Sequence, residues 1–553
     1  MRVVATLSTA ALIVAVLGGS ALGQTTGDPG VAKDQDRKTT AKTSDTAQAG
    51  PPAQVNGDSI VDLQKRIKEL EAQRDPLAAK ADPQAGQAAA TDPQVAALEK
   101  KIKELEARID AIIKDRDAPP EEATNRGDVD RVMDPVGLRS FYADGYLLMA
   151  SPKGRFIYWL DGRVNLDYAS YQGADNRLPT GVEVRRARLG LKTTLWTNWL
   201  AEVDLDFADG KVSFKDLWMG RLFENGLIRA GNHKAPFSLD TLTSSKNIVF
   251  IERSYLDAMS PDRRIGVSYS GWGKWYQYSG GVFFQEAGLF NDKDTLTGGG
   301  AGTDQKVNLV GRFTVAPIAK RDKVLHFGIG AAYRRPDVSK IATSGADLVD
   351  RENAAMIVKL DSRAETHVSR AKFLSTGDMK YVDHFTQFNV ELAGTYGPLT
   401  FQSEYLSTKV NRIPTTVAAY SNHSFGGYYA QVSWFLTGDH RPYSVAEGEF
   451  YRVIPKRKYG AVEAGLRYNV MDLDDATTVD PILGGGAKNV TLGLSWFVNA
   501  NHKLMFNVVK VNNNANARPG KDWAPIPPGT STAQTVIYGD DFTTIAVRYQ
   551  IAF

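Results

Sequence analysis

Arg186, Arg188 and Lys192 recur at even spacing, and shortly after them Glu202, Asp204 and Asp206 do the same with opposite charge. Residues two apart share one face of a strand, so a hairpin from Arg185 to Phe207 sets a basic file beside an acidic one. Ala187, Leu189 and Leu191 occupy the other face, and the earlier stretch Phe156 to Tyr168 adds Arg163 to the polar side. Two chemistries suit such a wall: salt bridges that hold its shape, or a transverse field that orients polar solutes in a wet lumen. A second concentration of polar chemistry lies between a strand ending near Ala230 and one starting at about Ile265. It holds Lys234, Lys246, Arg253, Arg263 and Arg264 with Ser238, Ser244 and Ser245, and alternates poorly. Asp240, Glu252, Asp257 and Asp262 lie in the same segment, so the cations have local partners that would brace a loop.

Catalytic patterns are missing. The seven histidines are scattered, without HExxH or a close His/carboxylate metal set. Gly298 to Gly302 lacks the GK[ST] ending of a phosphate-binding loop, and no GxSxG elbow occurs. With no cysteine, disulfides, thiolate metal sites and cysteine nucleophiles are excluded together. No enzyme, metal site or cofactor is expected. Net charge is +3 from 66 basic and 63 acidic residues, too balanced for bulk nucleic-acid binding. The mean hydropathy of −0.30 is compatible with a barrel whose lumen is wet.

The elements that must position these residues change character along the chain. Residues 1–23 read as a secretory signal, with Arg2, an apolar run and a small-residue cleavage region, and 24–57 as a disordered leader. Residues 58–116 carry heptad seams at Ile60, Leu63, Ile67 and Leu70 and again from Val95 to Ile112, with a break near 76–93. They predict a periplasmic coiled-coil stalk. After a linker at 117–137 the period falls to two and stays there through 138–553. Phe388, Val390 and Leu392 show it, as do Val490, Leu492, Leu494 and Trp496. At about 10 residues per strand plus unequal loops this span predicts an all-β, antiparallel transmembrane barrel of about 16 strands. Gly484-Gly485-Gly486 is expected as a turn, Asn291 to Gln305 and Asn512 to Thr532 as long loops, and Trp272, Trp275 and Tyr276 as part of an aromatic girdle. The last strand puts Ile545, Val547, Tyr549, Ile551 and Phe553 on a lipid face opposite Thr544, Arg548 and Gln550. Pairing it with the first strand closes the cylinder.

The segments Arg185-Arg186-Ala187-Arg188-Leu189-Gly190, Gly231-Asn232-His233-Lys234-Ala235-Pro236-Phe237-Ser238-Leu239, Leu242-Thr243-Ser244-Ser245-Lys246 and Glu252-Arg253 resemble the phosphate-selective porin O and P family. The resemblance runs from about Phe156 onward and is strongest before Tyr269. It implies a sixteen-stranded trimeric channel in the outer membrane of a diderm bacterium, with outer-membrane lipid around it and its third long loop folded inward. On that basis the segment His233 to Asp262 is the constriction. Lys234, Lys246, Arg253, Arg263 and Arg264 would attract inorganic anions, and Ser238, Ser244 and Ser245 would donate hydrogen bonds to them. Rings of Lys and Arg select anions, and Arg grips phosphate with a planar fork. Two other functions stay open: a tether, in which the coiled coil contacts the cell wall and the barrel is an anchor, and a general or carbohydrate porin built on the Trp and Tyr residues.

Overall fold

The computed structural model describes residues 69–73, 97, 99–107 and 139–553, the last span without 144, 152–154, 211, 285–305, 337–355, 415–419, 477–478 and 521–535. The expected signal, leader and linker, most of the heptad segment, and the core of both long polar loops fall outside those residues. Residues 69–73 and 99–107 are helical, one stretch within each heptad run.

A short hairpin, β1 (Arg139–Ala143) and β2 (Tyr146–Ala150), leads into β3 (Phe156–Gln172), β4 (Gly181–Leu195), β5 (Trp199–Asp206), β6 (Ser213–Phe223), β7 (Gly226–Lys234), β8 (Arg263–Trp272) and β9 (Tyr276–Phe283). Then come β10 (Asn308–Ala319), β11 (Lys323–Arg334), the two-residue β12 (Asp361–Ser362) and β13 (Leu374–Ser375), β14 (Val382–Tyr396), β15 (Leu399–Arg412) and β16 (His423–Phe435). The two-residue β17 (Tyr443–Ser444) and β18 (Glu449–Phe450), β19 (Ala461–Asp475), β20 (Ile482–Phe497), β21 (His502–Asn513) and β22 (Phe542–Ala552) complete the order. Without the leading hairpin and the two small sheets, sixteen strands remain, each antiparallel to the next.

Closure is made by β22 on β3, from Thr543 opposite Gln172 to Ala552 opposite Arg163. The first part of β3 instead pairs with β2, with Leu148 opposite Trp159. At the seam Gly162 and Phe553 exchange backbone hydrogen bonds of 2.8 and 3.0 Å. A Cβ on Gly162 would fall 2.3 Å from the Phe553 ring, so this glycine is required by close approach.

Sequence period decides which way each side chain points. Along β14, Gln387, Asn389 and Glu391 are buried inside, while Phe388, Val390 and Leu392 are exposed outside. On β22 the fully buried Arg548 and Thr544 alternate with the exposed Val547. A polar interior under an apolar skin inverts the soluble arrangement and suits lipid outside. Trp196, Trp199, Trp275, Tyr396, Trp434, Tyr459 and Trp496 stand exposed at the strand ends where β3 begins and β22 finishes, the terminal rim. That ring is an aromatic girdle at headgroup depth. Trp272, expected among them, faces inward and lines the lumen. Gly484 to Gly486 lie inside β20 and make no turn. Cβ atoms at Gly484 and Gly485 would fall 2.6 Å from Leu473 O and Ala517 Cα, so close chain approach accounts for them.

Candidate functional site

The segment from Ala235 to Asp262 folds into the lumen. It opens with one helical turn, α1 (Leu239–Leu242), whose Ser238 cap accepts from Thr241 N at 3.3 Å. Glu404 on β15 accepts from the Leu239 and Asp240 amides at 3.1 and 2.7 Å, so a carboxylate from the wall meets the positive end of that turn. Further along, Lys503 donates to Ile248 O at 2.8 Å, Gln387 to Met259 O at 2.6 Å and Gln550 to Lys246 O at 3.2 Å. Arg548 donates to Ile251 O and pairs with Glu252 at 2.7 Å. These bonds satisfy loop carbonyls that would otherwise be buried and unpaired. Burial alone would raise the Glu252 carboxyl, but Arg185, Arg186 and Arg548 outweigh it and hold it well below the usual carboxylate range.

Opposite the docked loop lies a cavity of about 1350 Å³. Its wall comes from β3 to β11, and the loop and the rim segment 439–456 complete it. No described lining residue belongs to β14–β16 or β19–β22. Sixteen Lys and Arg side chains line it against nine Asp and Glu, a much larger positive excess than the chain as a whole carries.

A model of the family described as phosphate-selective porin O and P matches residues 159–533. The chain belongs to that family. It is a non-enzymatic, outer-membrane porin-like barrel. This porin is 28% identical over 334 residues to an uncharacterised protein of Caulobacter vibrioides, covering 58% of this chain and 62% of that one. It is 26% identical over 404 residues to Porin O of Pseudomonas aeruginosa, covering 66% and 85% respectively. The chain thus spans just under two thirds of the first relative's length. Among solved structures, a loop-deletion variant of OmpT of Vibrio cholerae superposes with a TM-score of 0.43 at 11% identity, over 72% of this chain and 99% of that one. The channel DcaP of Acinetobacter baumannii gives 0.38 at 12%, over 72% and 98%.

In this porin the charged wall files are cross-paired. Lys192 bridges Asp161 and Glu202 at 2.9 and 2.8 Å, Arg188 holds Asp206 at 2.8 Å, and Asp204 lies 4.0 Å from Arg163 and 3.8 Å from Arg188. Arg186 lies 3.5 Å from Glu252, with its Nη1 unpartnered. Lys246 meets Asp161 at 2.6 Å, and Arg163 donates to Ser245 at 2.6 Å. Lys234 holds the Thr241 and Leu242 carbonyls at 2.5 and 2.8 Å, and Arg253 those of Asp240 and Thr243 at 2.7 Å each. Arg263 pairs with Asp216 at 2.7 Å. Lys234, Ser244, Ser245, Lys246, Arg253 and Arg263 all line the cavity.

Two expected site residues lie elsewhere. Ser238 is fully buried, its hydroxyl used as a helix cap, and Arg264 donates to Phe284 O at 3.3 Å and is not among the lining residues. Lys234, Arg263 and Arg264 also sit on strand ends and not on the loop, because β7 and β8 run longer than their alternation suggests. Sequence reasoning singled out nothing in the segment 436–460. It rises into the lumen from the terminal rim, where Arg312 donates to Gly448 O at 2.8 Å and the Tyr443 hydroxyl lies 2.6 Å from His326 Nδ1. The 25 residues between Phe435 and Ala461 were the available signal, since a hairpin turn needs two to five.

Proposed function

We propose that this porin conducts small hydrophilic anions passively across the outer membrane, inorganic phosphate among them, through the cavity between loop 235–262 and the β3–β8 wall. The excess of lysine and arginine around the cavity carries the reading, because fixed charge in a narrow aqueous path enriches ions of opposite sign. Ser244 and Ser245 beside Lys246 and Arg163 supply hydroxyls next to cations, a donor set suited to oxyanions. The family description supports phosphate as solute. Trimers in the membrane, with residues 58–116 as a helical stalk, complete this reading.

The test is a planar-bilayer recording of the purified protein under a salt gradient. The reversal potential is expected to have the sign of anion preference, and phosphate is expected to reduce the chloride current. Cation preference would overturn the selectivity, and absence of step conductance would overturn the channel.

A further inference from the structure

The interior of a water-filled barrel is ordinarily polar. Here the inward faces of β6, β7 and β8 nonetheless carry Trp218, Leu222, Leu227 and Trp272, and all four line the cavity. They join Trp159 and Leu200 in one apolar cluster near the terminal rim. Arg229 stands among them. Its guanidinium lies 5.1 Å from the centroid of the Trp218 ring, and its Nε has no hydrogen-bond partner. Neighbouring cations on this wall, Arg188, Lys192 and Arg263, each hold a carboxylate. Among the described residues no carboxylate forms a salt bridge with Arg229, although Glu449 lies within reach of its charge.

Register fixes the layout. Arg229 lies opposite Gly220 and Ser268, Leu227 opposite Leu222 and Ser270, and Trp272 is one further inward position along β8. Each inward step is about 7 Å along a strand, so the apolar groups extend from Arg229 over roughly the length of an aromatic ring with a substituent. Gly220 keeps the Trp218 indole close to the wall: a Cβ there would fall 3.2 Å from that ring and 3.3 Å from Leu227.

We propose that Arg229, Trp218, Leu222, Leu227 and Trp272 form a shelf that binds organic anions bearing a flat apolar group, aryl phosphates and aryl carboxylates being the class. The charged group meets the unpaired Arg229, and the ring lies across Leu222 and Trp272. A bare inorganic ion gains nothing from leucine or indole, and a neutral sugar can accept hydrogen bonds from a guanidinium but gains no charge pairing from it. The combination sets the class. Stacking on aromatic and apolar surface adds to an ionic contact where water is displaced.

This assignment rests on the anion reading above, and the experiment separates the two. Chloride current through the full-length protein is measured against phenyl phosphate, methyl phosphate and inorganic phosphate. Phenyl phosphate is expected to block at a concentration about five-fold below methyl phosphate, the gain from ring contact. Trp272→Ala is expected to abolish that difference while inorganic phosphate still blocks, whatever the change in unit conductance, and Trp272→Phe to restore it. Arg229→Gln should weaken both organic anions. Equal block by phenyl and methyl phosphate, or a ring advantage that survives Trp272→Ala, overturns the shelf even if anion preference stands. Loss of anion preference in the unaltered protein overturns the underlying reading instead.

Discussion

The two halves of the barrel interior use the same residue types for different ends. On β15, β19 and β22, the inward Glu404, Glu463, Arg467 and Arg548 are engaged by the docked segments. Arg467 pairs with Glu365, a residue of the segment between β11 and β14, and Arg548 chelates Asp167 at 2.7 and 2.6 Å while also holding Glu252. From the rim segment, Arg441 chelates Glu463 at 2.8 and 2.6 Å and donates to Asn247 O at 2.5 Å. Arg467, Arg548 and Arg441 are all among the largest fully buried side chains. On β3–β8 the cations border a cavity and outnumber the acids there. A buried ion pair held at two points is a fastener, whereas a cation in excess beside water is a field. The loop at 235–262 is the divider: one half holds its carbonyls through Lys503, Gln387, Gln550 and Arg548, and β3 and β4 of the other hold its side chains at Ser245, Lys246 and Glu252.

The comparison breaks most visibly if a fastener is removed. Arg548→Met leaves Asp167 buried without its counter-charge, while Glu252 keeps Arg185 and Arg186, and stranding one buried charge costs about 3–5 kcal/mol. Denaturant unfolding in detergent should show that loss, and unit conductance should rise as the loop loosens. A variant with unchanged stability and conductance would mean that the dry half is not what fixes the loop.

On the wet half the expected effect is smaller and of another kind. Lys246→Ala leaves Asp161 with Lys192, and Arg253→Ala removes a cation that borders the cavity. A unit charge about 5 Å from a passing ion in water is worth roughly 0.8 kcal/mol, or about four-fold in local ion concentration. The double variant should therefore shift the reversal potential toward zero and change the unfolding free energy less than Arg548→Met does. An unmoved reversal potential would place the selectivity elsewhere in the lumen.

What the sequence disclosed and what it hid follow one physical division. Alternation along β14 or β22 is a local property, since each side chain must choose lipid or lumen, and so strand faces were legible. The Arg186 and Asp204 files were legible for the same reason. Docking of the loop was not, because it depends on Glu404, Lys503 and Arg548, residues remote in sequence that meet only when the cylinder closes. Ser238 reads locally as a hydroxyl donor, yet the chain turns there with φ of 62° and its oxygen caps α1. Glycines at 484–486 carry a turn signal by composition, and Gly484 and Gly485 are in fact explained by close approach to Leu473 and Ala517. Trp272 sits between glycines near a strand end, where one residue of register decides between headgroup and lumen.

The finest test of the divided interior is titration of the segment that enters from the terminal rim. Burial, with Glu447 beside it, pushes the Glu449 carboxyl up to about 8, while Lys234, Arg312 and Arg229 oppose the shift. One of its oxygens has no hydrogen-bond partner, as suits a carboxyl that is neutral near pH 7. The sign follows from the acid: below about pH 8 the group adds no charge to the cavity, and above it the group adds one negative charge. Anion preference should therefore fall between pH 7 and pH 9, by less than in the loop variants because one charge among many changes. Glu449→Gln, uncharged throughout, should flatten the profile across that interval without altering its value at pH 7. A profile that stays steep in Glu449→Gln would assign the titration to another group on the wet wall. A flat profile in the unaltered protein would mean that Glu449 is already ionised and paired, which would move the rim segment from the wet half of the comparison to the dry one.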